Sequence, residues 1–292
     1  MKRNKECWYI HVIIVILCLM MMVPFVLMVS ISLSSETDIA QYGHSLIPKR
    51  IEFSAYKFVL NSNDTLANSY LITIFVTVVG TALSVFMMLL LAYPLSKKYF
   101  SGKKFFNFYV YFTMLFNGGL VPTYILNTQY LHLNNNILVY ILPSMISVWH
   151  VFVLRTFLAQ LPEEMFESAK IDGANELTLF FRFAIPLSKP AIATVTLMMA
   201  LTKWNEWMTA MLYVDDPKLI TLQYMLQKII KNMDLINQFG GTISEMSDAA
   251  ATIPTESARM AMAVIVAGPM LVIFPFFQKY FTRGLTVGSV KG

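Results

Sequence analysis

The sequence predicts an all-α integral membrane protein with six transmembrane helices and a cytoplasmic loop of short helices between the fourth and fifth. Hydrophobic residues make up 57% of the 292 residues, charged residues only 13%, and the mean hydropathy is +0.59. Apolar windows of the roughly twenty residues that one membrane crossing needs recur six times. Lysine and arginine are also distributed unequally between the loops. Such a composition is typical of a multi-pass membrane protein.

The six spans are expected near residues 10–31, 69–95, 105–126, 137–158, 190–213 and 260–281. The first span follows a short basic N-terminus. Its apolar run from Ile10 to Val29 is longer than a signal-peptide core and lacks a small-x-small cleavage site, so we expect it to remain uncleaved. The first helix and its outer loop account for residues 1–68, and the other five helices form a core at 69–292.

The distribution of charge predicts the orientation of the chain. With the N-terminus inside, the inner segments hold fourteen basic residues against six acidic ones, and the outer segments hold seven against ten. The loop at 96–104 alone carries four lysines in nine residues. Because basic loops stay on the cytoplasmic side, we expect both termini in the cytoplasm and the chain in the plasma or inner membrane. The net charge of +5 follows from this topology and does not indicate nucleic-acid binding.

A polar segment at about 161–189 separates the fourth and fifth predicted spans. Pro162 suits a first helical position, and two glutamates follow it at the positive end of the helix dipole. Gly173 can take the positive φ at which such a helix ends, and Asn175 can cap the next one. The pattern predicts two short helices broken at a glycine. A membrane protein that folds such an element outside the bilayer is expected to contact a partner with it.

The longest outer segment, at about 214–258, contains an amphipathic pattern at 222–230 that predicts a helix. Gly240, Gly241 and a polar, alanine-rich stretch follow. The segment is either a lid or interfacial helix with a flexible connector, or a docking surface for an external partner. The sequence leaves both readings open.

Patterns typical of catalytic and metal sites are missing from the sequence. Cys7 and Cys18 are the only cysteines, which supports neither a disulfide framework nor a thiolate metal site. The four histidines lack ligand spacing, and no phosphate-binding Gly-x-x-x-x-Gly-Lys-Ser/Thr string or Ser-His-Asp arrangement occurs. We therefore expect no catalytic residue, metal or cofactor in this chain.

Three landmarks of the polar segment have a recognisable spacing: Glu167-Ser168-Ala169, Gly173 and Ile185-Pro186. They resemble the EAA loop of the permease subunits of binding-protein-dependent ABC importers. The family pattern is Glu-Ala-Ala, three residues, glycine, nine residues and Ile-x-Leu-Pro. This chain departs from it at Ser168, Phe183 and Ile185 but keeps the glutamate, the glycine and the proline.

Further stretches resemble the carbohydrate branch of these permeases, of the maltose-transporter G-subunit type: the C-terminal run from Tyr280 to Gly292, the run Phe116-Asn117-Gly118-Gly119-Leu120-Val121-Pro122-Thr123-Tyr124, and Trp204-Asn205-Glu206-Trp207. The last two are similar to a subgroup associated with uptake of oligosaccharides and polysaccharide fragments. The resemblance covers about residues 69–292.

The resemblance implies a non-catalytic translocation subunit that works by alternating access. Its partners would be a second, homologous permease subunit, a cytoplasmic ATPase dimer that uses ATP and Mg²⁺, and an external solute-binding protein that delivers the carbohydrate. The residues expected to couple the chain to an ATPase groove are Phe166, Glu167, Ser168, Ala169, Lys170, Ile171, Asp172, Gly173 and Pro186. The tail at 282–292 is expected to reach the ATPase interface through Gly284, Gly288, Lys291 and Gly292.

Within that loop, Phe166 and Ile171 are expected to bury apolar area in the groove, and Ala169 and Gly173 to allow close backbone approach. The alternative from the residues alone is an ordinary loop packed on its own bundle. For the tail, the alternative is a frayed terminus without a partner.

The candidates for the substrate path lie in the fifth span: Lys203, Trp204, Asn205, Glu206 and Trp207. Lys203 and Glu206 are three residues apart, share a helix face and could pair near mid-depth, where ionisable groups are costly unless they face water or a partner. Indole rings beside amide and carboxylate groups suit sugars. Two alternatives remain open: an aromatic belt at the outer interface, or a buried structural contact.

Two other functional classes are compatible with a multi-pass chain. An integral membrane enzyme acting on lipid or polysaccharide could use Lys203 and Glu206 as its polar centre, but a second carboxylate or metal set near them is lacking. An ion-coupled secondary transporter would not need the cytoplasmic loop and would be expected to show clear inverted repeats.

Overall fold

The computed structural model describes residues 8–60, 63–243 and 256–287, which form helices joined by turns and loops, with no strand among them. The α-helices of this part of the chain are α1 (Trp8–Ser32), α2 (Glu36–Tyr42), α3 (Ser54–Leu60), α4 (Asn63–Ser96), α5 (Lys103–Leu115), α6 (Leu120–Ile125), α7 (Val148–Leu158), α8 (Glu163–Ile171), α9 (Glu176–Thr178), α10 (Ile185–Leu187), α11 (Lys189–Trp204), α12 (Met208–Tyr213), α13 (Leu222–Ile243) and α14 (Glu256–Val287). The π-helical turns are Leu126–Tyr130 and Leu179–Ala184, and the 3₁₀ turns are Ile137–Tyr140 and Pro217–Leu219.

Three described helices are long and apolar enough to cross a membrane: α1, Thr65–Ser96 within α4, and Glu256–Pro275 within α14. A fourth crossing results if Glu176–Leu187 and Lys189–Trp204, which meet at an angle of 78°, form one bent span. An all-helical membrane protein with several apolar spans is therefore confirmed. The count of six stays a prediction, because the remaining predicted spans are interrupted.

The span predicted at 105–126 breaks in its middle. α5 ends at Leu115, and α6 begins at Leu120 after four residues outside any helix. Asn117 Oδ1 accepts the Gly119 N–H at 2.8 Å, and Gly119 has a φ of +88°, which glycine adopts without strain. A side-chain turn that ends in a glycine therefore replaces the predicted continuous helix.

The span predicted at 137–158 has an α-helix only in α7, which begins at Val148. Residues 141–147 are not helical: 141–145 form turns and bends, and 146 and 147 have no regular structure. Pro143 has no N–H to donate and disfavours helical backbone in the residue before it. Tyr140, at the start of this stretch, is buried, and its hydroxyl donates to a backbone carbonyl at 2.9 Å. A buried aromatic anchor thus fixes the non-helical stretch at one end.

The span predicted at 190–213 is interrupted at 205–207, between α11 and α12. The carboxylate of Glu206 accepts the Thr209 N–H at 2.9 Å in the first turn of α12. The start of a helix leaves backbone N–H groups without partners, and an acidic side chain there satisfies one of them. Competition from this capping contact explains why the helix restarts instead of continuing.

The helix expected at 222–230 is confirmed, because α13 begins at Leu222. Its buried residues Leu222, Met225 and Leu226 have the spacing of a single helix face. The helix continues to Ile243, through the two glycines at which the sequence suggested a flexible connector. The amphipathic helix is therefore longer than the sequence pattern indicates.

The last helix, α14, runs to Val287, beyond the predicted end of the sixth span at 281. Gly284 thus lies in a helix, so the tail expected at 282–292 is helical over residues 282–287. A glycine in a helix costs about 1 kcal/mol relative to alanine, and no proline follows Pro275 to end this helix. The other predicted tail residues lie outside the described residues: Gly288, Lys291 and Gly292.

The chain divides into two compact units, one of Met1–Ala67 with Met225–Pro269 and one of Asn68–Tyr224 with Met270–Gly292. In the first unit, the carboxylate of Glu36 accepts the backbone N–H groups of Glu256 and Ser257 at 3.0 and 3.2 Å. It also accepts the Ser257 hydroxyl at 2.8 Å. An anion at the first turn of α14 satisfies unpaired N–H groups and faces the positive end of the helix dipole.

The second unit contains two buried clusters. One joins α4, α7, α8, α11 and the second π-helical turn, and its members include Val85, Met88, Leu89, Leu154, Phe166, Leu179 and Val195. The other surrounds Tyr140 and Tyr213 and includes Val76 and Val139. The first cluster holds the polar segment between α7 and α11, and the second adjoins a cavity.

Lys203, near the end of α11, is buried with 3% of its surface exposed. Its ammonium donates to the Tyr140 carbonyl at 2.6 Å and to the Ser144 hydroxyl at 2.5 Å. Glu206, which the spacing suggested as its partner, caps α12 instead, so the two side chains take separate partners. Lys203 therefore ties the non-helical stretch at 141–147 to α11.

The substitution Lys203→Met retains an unbranched apolar side chain but removes the ammonium group that donates both hydrogen bonds. A buried carbonyl left without a partner costs about 1–3 kcal/mol, so we expect the purified protein to melt several degrees lower than the wild type in detergent. Thr202→Val, at a neighbouring exposed position of α11, is the control and should leave the melting temperature unchanged. Equal melting temperatures for Lys203→Met and the wild type would contradict the anchoring role.

Candidate functional site

Residues 161–189 form the polar helical segment that joins α7 to α11. α8 begins at Glu163 with Pro162 as its N-cap, one position earlier than the first helical position that the sequence suggested. Glu163 and Glu164 occupy the first turn, where a negative charge is favoured by the helix dipole. α9 and α10 follow a break, so the predicted pair of short helices broken at a glycine is present.

The break itself is a Schellman motif around Gly173. This glycine has a φ of +86°, and its N–H donates to the Lys170 carbonyl at 3.0 Å, while the Ala174 N–H donates to the Ala169 carbonyl at 2.9 Å. No heavy atom lies within 4 Å of the position that a Cβ would occupy, so conformation and not space requires the glycine. Asn175 Oδ1 then accepts the Thr178 N–H at 2.8 Å and caps α9 as predicted.

α8 has a buried face and an exposed face. Phe166 and Ala169, three residues apart, are buried in the cluster with α4, α7 and α11. Phe166 was expected to bury apolar area in a partner's groove and Ala169 to allow close backbone approach. In this chain the bundle itself covers both side chains, so their contact with a partner stays a prediction. Ile171, by contrast, is 87% exposed. The other exposed residues of the predicted set are Glu167, Ser168, Lys170, Asp172, Gly173 and Pro186.

The lysine-rich stretch after α4 contacts the buried and the exposed side of α8. The Lys97 ammonium lies 3.1 Å from the centre of the Phe166 ring, and burial lowers the pKa of Lys97 to about 8. The Lys98 ammonium forms an ion pair with Glu163 at 2.8 Å. This hydrogen bond raises the pKa of Lys98 and lowers that of Glu163. The four-lysine loop and the start of α8 are therefore adjacent.

Glu176, the first residue of α9, accepts hydrogen bonds from three side chains. The donors are the Tyr93 hydroxyl at 3.1 Å, the Tyr99 hydroxyl at 3.0 Å and the Lys170 ammonium at 2.8 Å. Burial alone would raise the pKa of Glu176, but its hydrogen bonds, those from Lys170 and Tyr99 above all, outweigh that effect and lower it. We call these four side chains the Glu176 cluster.

The end of the polar segment changes direction sharply. Pro186 is exposed in α10, and the axes on either side of Ser188 meet at 78°. A proline occupies the first turn of the helix on each side of this bend, a position where its missing N–H leaves no hydrogen bond unmade. The bend fixes the angle at which the polar segment leaves α11.

A second feature of the same unit is a cavity of about 390 Å³. Polar side chains in its wall are Asn117, Thr123, Asn127, Ser144, Glu206, Thr209 and Tyr213. The apolar part of the wall comprises Leu120, Val139, Pro143, Met208 and Leu212, together with Gly119. Asn127 Nδ2 donates to the Tyr213 hydroxyl at 3.1 Å, and the Tyr213 ring stacks on that of Tyr124 with centroids 5.4 Å apart.

The predicted substrate-path residues occupy different environments around this cavity. Glu206 lines it, whereas Lys203 is buried behind Ser144 and does not line it. Trp204 is also buried, with 4% of its surface exposed. Asn205 is exposed and Trp207 half-buried, and neither belongs to the cavity wall. Of the five predicted residues, the structure brings only Glu206 to the cavity.

The sequence did not indicate most residues of the Glu176 cluster or of the cavity wall. Thr123 and Asn127 are polar and four apart in an apolar stretch, which could have indicated a shared helix face. No comparable pattern indicates the Glu176 cluster, because Glu176 lies 83 positions after Tyr93 and 77 positions after Tyr99. Among the described residues, no group of three His, Cys, Asp or Glu side chains could hold a metal ion.

Comparison with known proteins identifies the family. Residues 60–287 match the model of the "binding-protein-dependent transport system inner membrane component" family. The polygalacturonan/rhamnogalacturonan transport system permease protein YtcP of Bacillus subtilis (strain 168) is 36% identical over 292 residues, covering 100% of both chains. Protein LplC of the same organism is 38% identical over 269 residues, which is 92% of this chain and 89% of LplC.

A more distant relative and a solved structure support the same family. The arabinooligosaccharides transport system permease protein AraQ of B. subtilis is 27% identical over 94% of this chain and 92% of its own. A crystal structure of a bacterial ABC transporter involved in the import of the acidic polysaccharide alginate contains a similar chain, with a TM-score of 0.83 and 31% identity. The similarity covers 96% of this chain and 99% of that one. This chain therefore belongs to the inner membrane permease family of binding-protein-dependent ABC transporters.

Proposed function

We propose that this chain is the translocation subunit of an ATP-driven importer for oligosaccharides or polysaccharide fragments, working by alternating access. The observation that carries the proposal is similarity over the whole chain to a permease named for polygalacturonan and rhamnogalacturonan. Relatives named for arabinooligosaccharides and an alginate importer support the same substrate class. The substrate moves through the bundle, and this chain supplies part of the path.

The exposed side of α8 is the proposed contact with an ATPase. Glu167 and Asp172 supply carboxylates, Ser168 a hydroxyl, and Ile171 an apolar side chain that its own bundle leaves uncovered. Charged hydrogen bonds around one apolar anchor are typical of a small docking surface. Because Phe166 holds the opposite face in the core, a displacement of the exposed face would reach the bundle.

This role places the polar segment, both termini and the four-lysine loop in the cytoplasm, in agreement with the distribution of charge. The partners are an ATPase dimer that uses ATP and Mg²⁺, a second homologous permease subunit and an external solute-binding protein. We also propose that the residues after α14, which include Gly288, Lys291 and Gly292, reach the interface between the ATPases. Gly284 precedes them within the helix.

The cavity of about 390 Å³ is the proposed place where this chain contacts the sugar. Its size is within the range of small-ligand sites, and its wall combines aromatic, amide, hydroxyl and carboxylate groups. The Tyr213 ring suits the apolar C–H face of a sugar ring, and Asn127, Ser144 and Glu206 suit its hydroxyl groups. The wall is mostly apolar with several polar groups, a combination that suits a sugar, which has both C–H faces and hydroxyl groups.

The proposal is tested by reconstituting the complete complex in liposomes with its binding protein and measuring ATP hydrolysis across a panel of neutral and acidic oligosaccharides. We expect one class to stimulate hydrolysis and to accumulate inside. A complex that assembles with the ATPases but responds to no carbohydrate of the panel would contradict the proposed substrate class.

Gly173→Ala should lower sugar-stimulated ATP hydrolysis about fivefold or more without reducing the amount of protein in the membrane. An alanine at φ +86° costs about 1–2 kcal/mol, enough to shift α8 out of its capped conformation. Gly268→Ala is the matched control, because its Cβ would also meet no atom within 4 Å but its φ is not positive. Equal activity of the two variants would show that the glycine cap is dispensable.

Glu167→Arg should abolish co-purification of the ATPase subunits and sugar uptake, because it reverses a charge on the proposed docking surface. Glu52→Arg makes the same change at an exposed position between α2 and α3, far from α8 in the sequence, and should leave both unaffected. Normal uptake and ATPase binding in Glu167→Arg would rule out this surface as the contact.

Glu206→Gln keeps an oxygen that can accept the Thr209 N–H but removes the negative charge from the cavity wall. We expect it to change the sugar concentration needed for half-maximal stimulation at unchanged protein abundance. Trp204→Ala removes a buried side chain, which costs about 3–5 kcal/mol, and should mainly lower abundance. If Glu206→Gln also changes only abundance, Glu206 has a purely structural role.

A further inference from the structure

The Glu176 cluster joins four parts of the chain through one carboxylate. Tyr93 belongs to the last turns of α4, Tyr99 to the loop after it, Lys170 to α8, and Glu176 begins α9. The carboxylate accepts from all three of the others, at distances between 2.8 and 3.1 Å. A single side chain therefore connects both short helices of the polar segment to the end of a membrane-spanning helix.

Two members of the cluster are held by further contacts. Tyr93 is buried, and its ring meets that of Phe180 edge to face with centroids 5.2 Å apart. The Lys170 ammonium lies 3.9 Å from the centre of the Tyr99 ring, in addition to its bond with Glu176. One end of the cluster is thus fixed in the core, and the other reaches the exposed side of α8.

The cluster supplies a constraint that apolar packing on α8 does not. Contacts of Phe166 and Ala169 hold one face of the helix against the core by apolar packing, which is non-directional. Charge-assisted hydrogen bonds depend on direction, and several that share one acceptor act as a network. The Lys98–Glu163 pair is a single contact between side chains that are 81% and 42% exposed. The Lys170–Glu176 pair is also partly exposed, at 38% and 53%, so the difference lies in the three donors that share the Glu176 carboxylate and in the buried Tyr93 among them.

We propose that Glu176 is a positioning residue that makes α8, α9 and the end of α4 move as one body. It touches neither the sugar nor the nucleotide. A force on the exposed face of α8 reaches α4 through Lys170, the Glu176 carboxylate and Tyr93, without loss to rotation of α8. The proposal rests on the proposed function, because it concerns how ATPase closure is transmitted into the bundle.

The test compares Glu176→Gln with Glu163→Gln in the complete complex reconstituted in liposomes. Both variants remove one carboxylate that accepts a lysine at 2.8 Å in the same segment, but only the first disrupts the network. We expect Glu176→Gln to raise the number of ATP molecules hydrolysed per sugar imported several-fold, with normal co-purification of the ATPases. Glu163→Gln should keep the wild-type ratio.

Tyr99→Phe refines the test because it keeps the ring beneath Lys170 and deletes only the hydroxyl donor. It should raise the ratio by less than Glu176→Gln, and the double variant should equal Glu176→Gln alone. An unchanged ratio in Glu176→Gln, or a loss of ATPase binding in place of coupling, would overturn the proposal. Import by the wild-type complex is measured alongside, so a failure of the proposed function is seen separately.

Hydrogen–deuterium exchange of the purified complex gives a second readout that requires no sugar. Glu176→Gln should speed exchange of the backbone amides at 170–179 several-fold and leave those of α11 unchanged, whereas Glu163→Gln should alter neither. Wild-type exchange at 170–179 in Glu176→Gln would show that the carboxylate does not hold the two helices together.

Discussion

Backbone groups without partners are the constraint on which the rest of this structure depends. In an apolar environment no water is present to satisfy a broken helix, so protein groups must do so. Where the predicted spans break, side chains meet this need: Asn117 accepts the N–H of Gly119, Glu206 accepts that of Thr209, and Lys203 donates to a backbone carbonyl. These polar residues within the apolar spans thus form hydrogen bonds with backbone groups that the interrupted helices leave without partners.

The same breaks create the cavity. Residues of all three interruptions contribute to its wall, among them Asn117, Pro143 and Glu206. Irregular backbone at membrane depth is tolerated where it lines a cavity or is buried in protein, and here it does both. Glu206 shows how the roles combine, because one carboxylate caps α12 and also gives the cavity its negative charge. The same residues therefore satisfy the backbone and line the cavity that we propose as the sugar contact.

The sequence predicts the features that depend on local composition or on one residue's backbone. The helical class, the apolar α1 and the break at Gly173 are of this kind. An apolar window has the same composition whether its helix is continuous or broken, so the sequence does not predict the interruptions. The partner of Lys203 is a carbonyl 63 residues earlier, which helix-face spacing cannot indicate. Likewise, spacing shows that Phe166 and Ala169 share a face, but only the folded bundle shows that it is buried.

This last difference changes how the string Glu167-Ser168-Ala169 is interpreted. Its first two residues are exposed, and its third is buried against the chain's own core. A small side chain at the third position is therefore required by close packing of α8 on the bundle, whatever the partner. The carboxylate of Glu167 and the hydroxyl of Ser168 lie outside the core, and they are the groups that we propose for recognition of a partner. The proposed transmission of force through α8 needs one side of the helix packed on the bundle and another accessible to a partner, and this short string contains residues of both sides.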